Sequence, residues 1–280
     1  MAEDTGRLAV IQMRSGSAVS DNFERAAELL AAAADRGARL AVLPENFALM
    51  PNSEGDRLTA AEADGDGPIQ TFLAAQAAQH RMWIIGGSVP LAGTAADRVF
   101  AASLVYDARG TRVARYDKIH LFDVELDSGE SYRESEYIQA GAPDQAVVVD
   151  TPCGRVGLSV CYDLRFPELY RRLSDLGAEL LCVPSAFTWA TGRVHWEVLL
   201  RARAVENLAF VVAPAQHGLH ENGRRTFGHS MIIGPWGDIL ATLADADGVA
   251  VAEVDREALT RLRQRFPSLA HRCIVGPETP

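Results

Sequence analysis

The sequence predicts an α/β fold in which mixed sheets are covered by helices on their outer faces, and three observations carry that prediction. Apolar runs such as "LAVIQM" (8–13), "AELLCVPS" and "AFVVAPAQ" are too hydrophobic to leave one face in water. Several are followed by helical periodicity, the succession that produces parallel pairing. Others are joined through short turn segments, which is antiparallel chemistry. With 280 residues, 48% of them hydrophobic, the chain can bury a large core, and one domain over 1–280 is expected.

Taken in order, "LAVIQM" reads as a strand and "DNFERAAELLAAAADRG" as a helix, with Asp21 and Glu24 suited to its start and Gly37 to its end. "RLAVLPEN" is a second short strand stopping at Pro44 and Glu45. The Gly-rich acidic stretch "AEADGDGP" reads as a loop, because Asp64 and Asp66 lack the remaining ligand spacing of a calcium site. A helix follows in "PIQTFLAAQAAQH", its Pro suited to the first turn. After "MWIIGGSVP", the runs "RVFAASLVYD" and "TRVARYDKIH" meet around Ala108, Arg109 and Gly110 as a hairpin. "DVELDSGESYRESEY" has little apolar content and reads as a loop. "QAVVVDTPCGRVGLSVCYD" is a further hairpin, followed by a helix from Pro167 to about Leu176 and the strand "AELLCVPS". "HWEVLLRARAVENL" repeats Trp196, Leu199, Leu200 and Ala204 on one helical face, with His195 at its start. The strands "AFVVAPAQ", "GHSMIIGPWGDIL" and "GVAVAEVD" and the helix "REALTRLRQRF" complete the pattern.

Charge and composition exclude several function classes. A net charge of −10 opposes nucleic-acid binding, which needs clustered cations; Arg261, Arg263 and Arg265 read as a solvated helix face. No apolar stretch approaches the roughly 20 residues of a membrane helix, and "MAEDTGRLAV" lacks the pattern of a secretory leader, so a cytoplasmic protein is expected. The four cysteines (Cys153, Cys161, Cys182 and Cys273) show no C-x-x-C spacing, and His195, His217, His220 and His229 show no metal spacing. These spacings leave zinc and redox-pair readings weak.

In open α/β sheets, reacting groups collect beyond the carboxyl ends of strands. Three ionisable residues fit that place: Glu45 after "LAVLP", Lys118 after "RVARYD" and Cys161 after "VGLSV". Neighbouring strand ends of one sheet would bring them together. A thiol is a strong nucleophile only as thiolate, and an adjacent ammonium is expected to lower its pKa. A carboxylate can take the thiol proton, deliver it to a departing nitrogen and later activate water. The ammonium and the backbone N–H of Tyr162 could hold a tetrahedral oxyanion, an effect of about 10² to 10³ in rate per donor. Taken singly, each residue also has a structural reading: a core cysteine, a solvated Pro-Glu turn, a surface Asp-Lys pair. Residue chemistry leaves both readings open.

Together, "LAVLPENF", "RYDKIHLFD" and "GRVGLSVCYDLRFPELYR" resemble, in order, the three signature segments of the nitrilase, or carbon-nitrogen hydrolase, superfamily. Further similarity runs through "SAFTWATGRVHWEVLLRARAVEN" and "GHSMIIGPWGDIL", so the resemblance covers roughly residues 7 to 272. It implies a four-layer αββα sandwich of two mixed sheets with helices outside. It also implies a Glu45–Lys118–Cys161 triad without metal or cofactor, and a homodimer or higher homo-oligomer. A second glutamate of the family falls on Glu134, with Glu136 its neighbour and competitor. "CYDLRFPE" resembles the Nit-type amidase branch, so a small-molecule amide is the implied partner, and neither nucleic acid nor membrane is. "APAQHGLHENGRRTFGHSM" is similar to amidases acting on deaminated glutathione; ω-amidases acting on α-ketoglutaramate share almost every motif. Arg165 could pair with a substrate carboxylate or bridge to Glu168, while Phe187, Trp189 and Thr191 lie where related enzymes shape their pocket. A non-catalytic binding protein on this fold and an acyl transferase are the competing classes, which amide turnover and product analysis separate.

Overall fold

The computed structural model describes residues 5–125, 129 and 131–274. The first half contains β1 (Thr5–Gln12), α1 (Val19–Asp35), β2 (Leu40–Val42), α2 (Glu54–Thr59), α3 (Pro68–His80) and β3 (Trp83–Ile85). It continues with β4 (Val89–Ala92), β5 (Val99–Tyr106), β6 (Arg112–Asp117), β7 (Asp123–Glu125), β8 (Ser131–Arg133) and a 3₁₀ turn at Glu134–Glu136. The second half holds β9 (Val148–Thr151), β10 (Gly154–Leu158), a 3₁₀ turn at Cys161–Arg165, α4 (Pro167–Asp175), β11 (Leu180–Cys182) and α5 (Trp189–Asn207). It ends with β12 (Phe210–Ala213), β13 (His217–Leu219), β14 (Arg225–Phe227), β15 (Met231–Ile233), β16 (Ile239–Thr242), β17 (Gly248–Asp255) and α6 (Arg256–Arg265).

These elements build two mixed sheets. The seven-stranded sheet runs β17-β1-β2-β3-β5-β4 with β6 on β5, and the six-stranded sheet runs β16-β15-β12-β11-β10-β9. Each has three parallel strands at its centre, β1-β2-β3 and β10-β11-β12, connected through helices. Antiparallel strands extend each set. Side-chain alternation explains why the central strands carry almost no polar residues. Leu8 and Val10 of β1, with Leu40 and Val42 of β2, join the core that the second sheet shares. Ala9, Ile11, Ala41 and Leu43 face the other way, into the core under α1 and α3. Helices α4 and α5 cover the second sheet. The layers are therefore αββα.

The structure changes several expectations. Helix α1 begins at Val19, ahead of Asp21, and α5 begins at Trp189, so His195 lies inside that helix and not at its start. The segment read as a loop from Asp123 to Tyr137 pairs β7 with β8, and part of it lies outside the described residues. Helix α2 has no apolar periodicity; it is nucleated by reciprocal hydrogen bonds between Ser53 and Asp56. Arg263 is not simply solvated, because its guanidinium donates to the carbonyls of Leu208 (2.9 Å) and Ala178 (2.8 Å) and fixes α6 to the molecule. Among the described residues, no helix is long and apolar enough to cross a membrane.

Candidate active site

Glu45, Lys118 and Cys161 meet, but not at neighbouring strand ends of one sheet as expected. Glu45 follows β2 and Lys118 follows β6 in the seven-stranded sheet, whereas Cys161 follows β10 in the six-stranded sheet. The site forms where the ends of the two sheets face each other. Sequence patterning identifies strand ends but carries no information about which sheet each strand joins.

Glu45 is set by a close backbone approach. Gly87, at φ +55°, lies so near that a Cβ on it would fall 2.0 Å from the Pro44 carbonyl oxygen. The Glu45 carbonyl accepts a hydrogen bond from Gln216 Nε2 (3.1 Å). Its carboxylate accepts from Lys118 Nζ at 3.0 Å through one oxygen and from the Ala186 N–H at 2.9 Å through the other. Lys118 is only 1% exposed, and its ammonium also lies 2.8 Å from each oxygen of Glu134. Glu134 in turn accepts from the Phe122 N–H at 2.7 Å. Glu136 is exposed, so Glu134 is the glutamate that the fold brings to Lys118.

Cys161 opens the 3₁₀ turn with φ +49°, a left-handed conformation that costs a non-glycine residue about 1–3 kcal/mol. Two features hold it there. Its own N–H donates to the Pro184 carbonyl (2.9 Å), beyond β11. Two residues on, the fully buried Asp163 carboxylate accepts from Tyr116 Oη (2.7 Å), the Val160 N–H (2.8 Å) and the His120 N–H (3.0 Å), and lies 2.7 Å from His120 Nδ1. Tyr162 is the second residue of the turn, so its N–H has no partner within the turn itself.

Burial dominates the electrostatics of the thiol. The Lys118 ammonium pulls the Cys161 pKa down as expected, but burial and then the Glu45 carboxylate outweigh it, so the thiol is raised overall. For Glu45, burial opposes ionisation, but Lys118, Arg224 and the Cys161 hydrogen bond together hold its carboxyl below the ordinary glutamate range. Burial also opposes the Lys118 ammonium, yet Glu134 and Glu45 overcome it and keep that amine charged. These balances favour the protonated thiol at Cys161, the ionised carboxyl at Glu45 and the charged amine at Lys118.

The pocket over this group is a narrow slot with a cavity volume of about 30 Å³. Tyr162, Arg165, Phe187 and Thr191 line it as anticipated, and Trp189 does not. The Trp189 ring packs instead against Phe227 (5.6 Å between centroids) and under the Arg225 guanidinium (3.7 Å). Thr188, which caps α5, takes the place in the wall. Arg165 makes no ion pair with Glu168 among the described residues; it lies over the rings of Tyr162 and Phe187 and 3.3 Å from His195 Nδ1. Arg57 and Arg224 also line the slot, and sequence reasoning missed both. Arg57 gave no signal in its surroundings, whereas Arg224 belongs to a stretch already singled out by its motif. Among the described residues, no cluster of three His, Cys, Asp or Glu side chains is disposed to hold a metal ion.

Residues 7–264 match the family described as carbon-nitrogen hydrolase. The chain is 45% identical over 269 residues to a protein of Synechocystis sp. named deaminated glutathione amidase, covering 95% of this chain and 98% of that one. A protein of the same name from Yersinia enterocolitica is 40% identical over 275 residues, covering 98% and 95%. Among solved structures, the NitFhit protein of Caenorhabditis elegans superposes with a TM-score of 0.90 at 37% identity, over 98% of this chain and 66% of that longer one.

Proposed function

The chain belongs to the carbon-nitrogen hydrolase family and is an amidase acting on C–N bonds other than peptide bonds, and we propose that Cys161 is its nucleophile. The observation that carries this is the contact of Glu45 with both Lys118 and the Ala186 N–H beside the buried thiol. Glu45 takes the Cys161 proton as sulfur bonds to the amide carbon. The Lys118 ammonium and the Tyr162 N–H stabilise the oxyanion. The C–N bond breaks as Glu45 returns the proton to nitrogen, and the amine departs, leaving a thioester. Glu45 then takes a proton from water, hydroxide adds to the thioester carbon, the C–S bond breaks, and the proton returns to sulfur. Glu134 holds Lys118 in place.

The substrate we assign is deaminated glutathione, on the names of the similar amidases and on the Arg165 cation in the wall of the slot. Arg165 serves its carboxylate, with Phe187 and Thr191 as walls. The whole chain acts as one domain. It works as a homodimer or larger homo-oligomer, a reading supported by Val194 and Val198, 58% and 60% exposed on the outer face of α5. A reducing cytoplasm suits its four free thiols. The test compares deaminated glutathione, α-ketoglutaramate, a carbamoylated amine and a nitrile on one purified sample, with Cys161→Ala beside it. Turnover should be fastest on deaminated glutathione and absent in the variant. Activity surviving in a folded Cys161→Ala protein would rule the mechanism out.

A further inference from the structure

The catalytic slot opens into a second recess. Arg57, Tyr132, Tyr137 and Arg224 line both spaces, and beyond them the recess widens to about 480 Å³, bounded by the Met50–Asn52 turn, β8 and Asn222. Building on the amidase reading, we propose that this recess is the subsite for the departing amine, and that it takes an amine bearing a carboxylate, held by Arg224 and Arg57.

Position comes first. The proton that releases the amine comes from Glu45, so the scissile nitrogen sits beside that carboxyl, and whatever the nitrogen carries extends away on the same side. Both guanidiniums are tied to that side. Arg57 donates to Asn46 Oδ1 (3.0 Å), the residue next to Glu45. Arg224 donates through Nη2 to the carbonyl of Ala186, the residue whose N–H holds Glu45 Oε2. Arg165, Phe187 and Thr191, assigned above to the acyl half, do not line the recess.

Charge comes second. On a protein of net charge −10, the residues lining the recess include three arginines and no acidic side chain. Arg133 lines the recess but not the catalytic slot and is left out of the assignment. Arg224 makes no ion pair with any described carboxylate, and its enclosed Nε has no hydrogen-bond partner. A fork of guanidinium donors matches a carboxylate with two bonds, which a neutral amide cannot reproduce.

The test uses three amides with the same acyl half. One releases ammonia, one releases a dipeptide with a free C-terminal carboxylate, and one releases that dipeptide capped as its carboxamide. The wild-type enzyme should prefer the free carboxylate over the carboxamide by roughly 10- to 100-fold in kcat/KM. Arg224→Gln and Arg57→Gln should each bring that ratio towards one. The ratio is internal to each protein, so a general loss of rate cancels; if Arg224→Gln fails to fold, Arg57→Gln alone decides. Equal rates on the two dipeptide amides, turnover of the primary amide alone, or a ratio that survives in the variants overturns the subsite. Failure on all three amides would instead overturn the amidase reading.

Discussion

Glu134→Gln removes one of the two carboxylates on Lys118 and changes little else in shape. Both Glu134 oxygens lie 2.8 Å from the Lys118 ammonium, and one also accepts the Phe122 N–H at 2.7 Å. Unit charges about 3 Å apart interact by roughly 5 kcal/mol at an effective dielectric of about 20, which sets an upper bound. A glutamine keeps one oxygen, so its amide NH₂ faces the ammonium in either orientation, and in one of the two it faces the Phe122 N–H as well. The loss is then one or two charge-assisted hydrogen bonds at about 1.5–3 kcal/mol each. Taking about 2–4 kcal/mol as the part felt in the transition state, kcat falls roughly 30- to 1000-fold. With Glu134 neutral, Glu45 becomes the only carboxylate on Lys118 and is harder to protonate, so the acid limb of kcat moves to lower pH. Initial rates of amine release across pH, with thermal melting to confirm folding, measure both effects. Glu136→Gln, on an exposed residue, should behave as wild type. A Glu134→Gln enzyme within threefold of wild-type kcat, with an unmoved acid limb, would refute the positioning role.

Three further outcomes follow from the same geometry. Under the proposed mechanism Glu45 must be ionised to act, and its pKa is depressed, so kcat/KM should stay flat through neutrality and fall only below the range where an ordinary glutamate titrates. The Cys161 pKa is raised, so iodoacetamide labelling of the free enzyme should show no rise near the ordinary thiol value of about 8.5; a clear step there contradicts a neutral resting thiol. Asp163→Asn leaves at least one of the donors on that buried carboxylate unpaired, which should cost about 2–4 kcal/mol in urea unfolding and lower kcat as the strained Cys161 turn relaxes. Unchanged unfolding and unchanged kcat together would show that Asp163 does not hold the nucleophile.

The layered fold was legible because burial on both faces leaves a direct mark on composition. A strand between a second sheet and a helix layer has no solvent face, so "LAVIQM" and "LAVLP" lack alternation, and their length and flanking helices complete the reading. Elements whose stability comes from hydrogen bonds carry no such mark. Helix α2 rests on the Ser53–Asp56 caps, and β7 pairs with β8 across a polar segment. Periodicity is silent on both. Trp189 is a related case: an aromatic residue near a pocket is apolar enough for either side of the wall, and only its packing on Phe227 places it outside.

By itself the sequence determined which residue types stand at strand ends, and with them the chemistry of Glu45, Lys118 and Cys161. Tertiary structure alone decided that these residues converge across two sheets, that Glu134 and not Glu136 reaches Lys118, and that Arg57 and Arg224 face the slot. It also made burial outweigh the Lys118 ammonium at the Cys161 thiol. The physical reason is common to all four: chemical type is a property of one position, whereas proximity and desolvation depend on what distant segments bring to it.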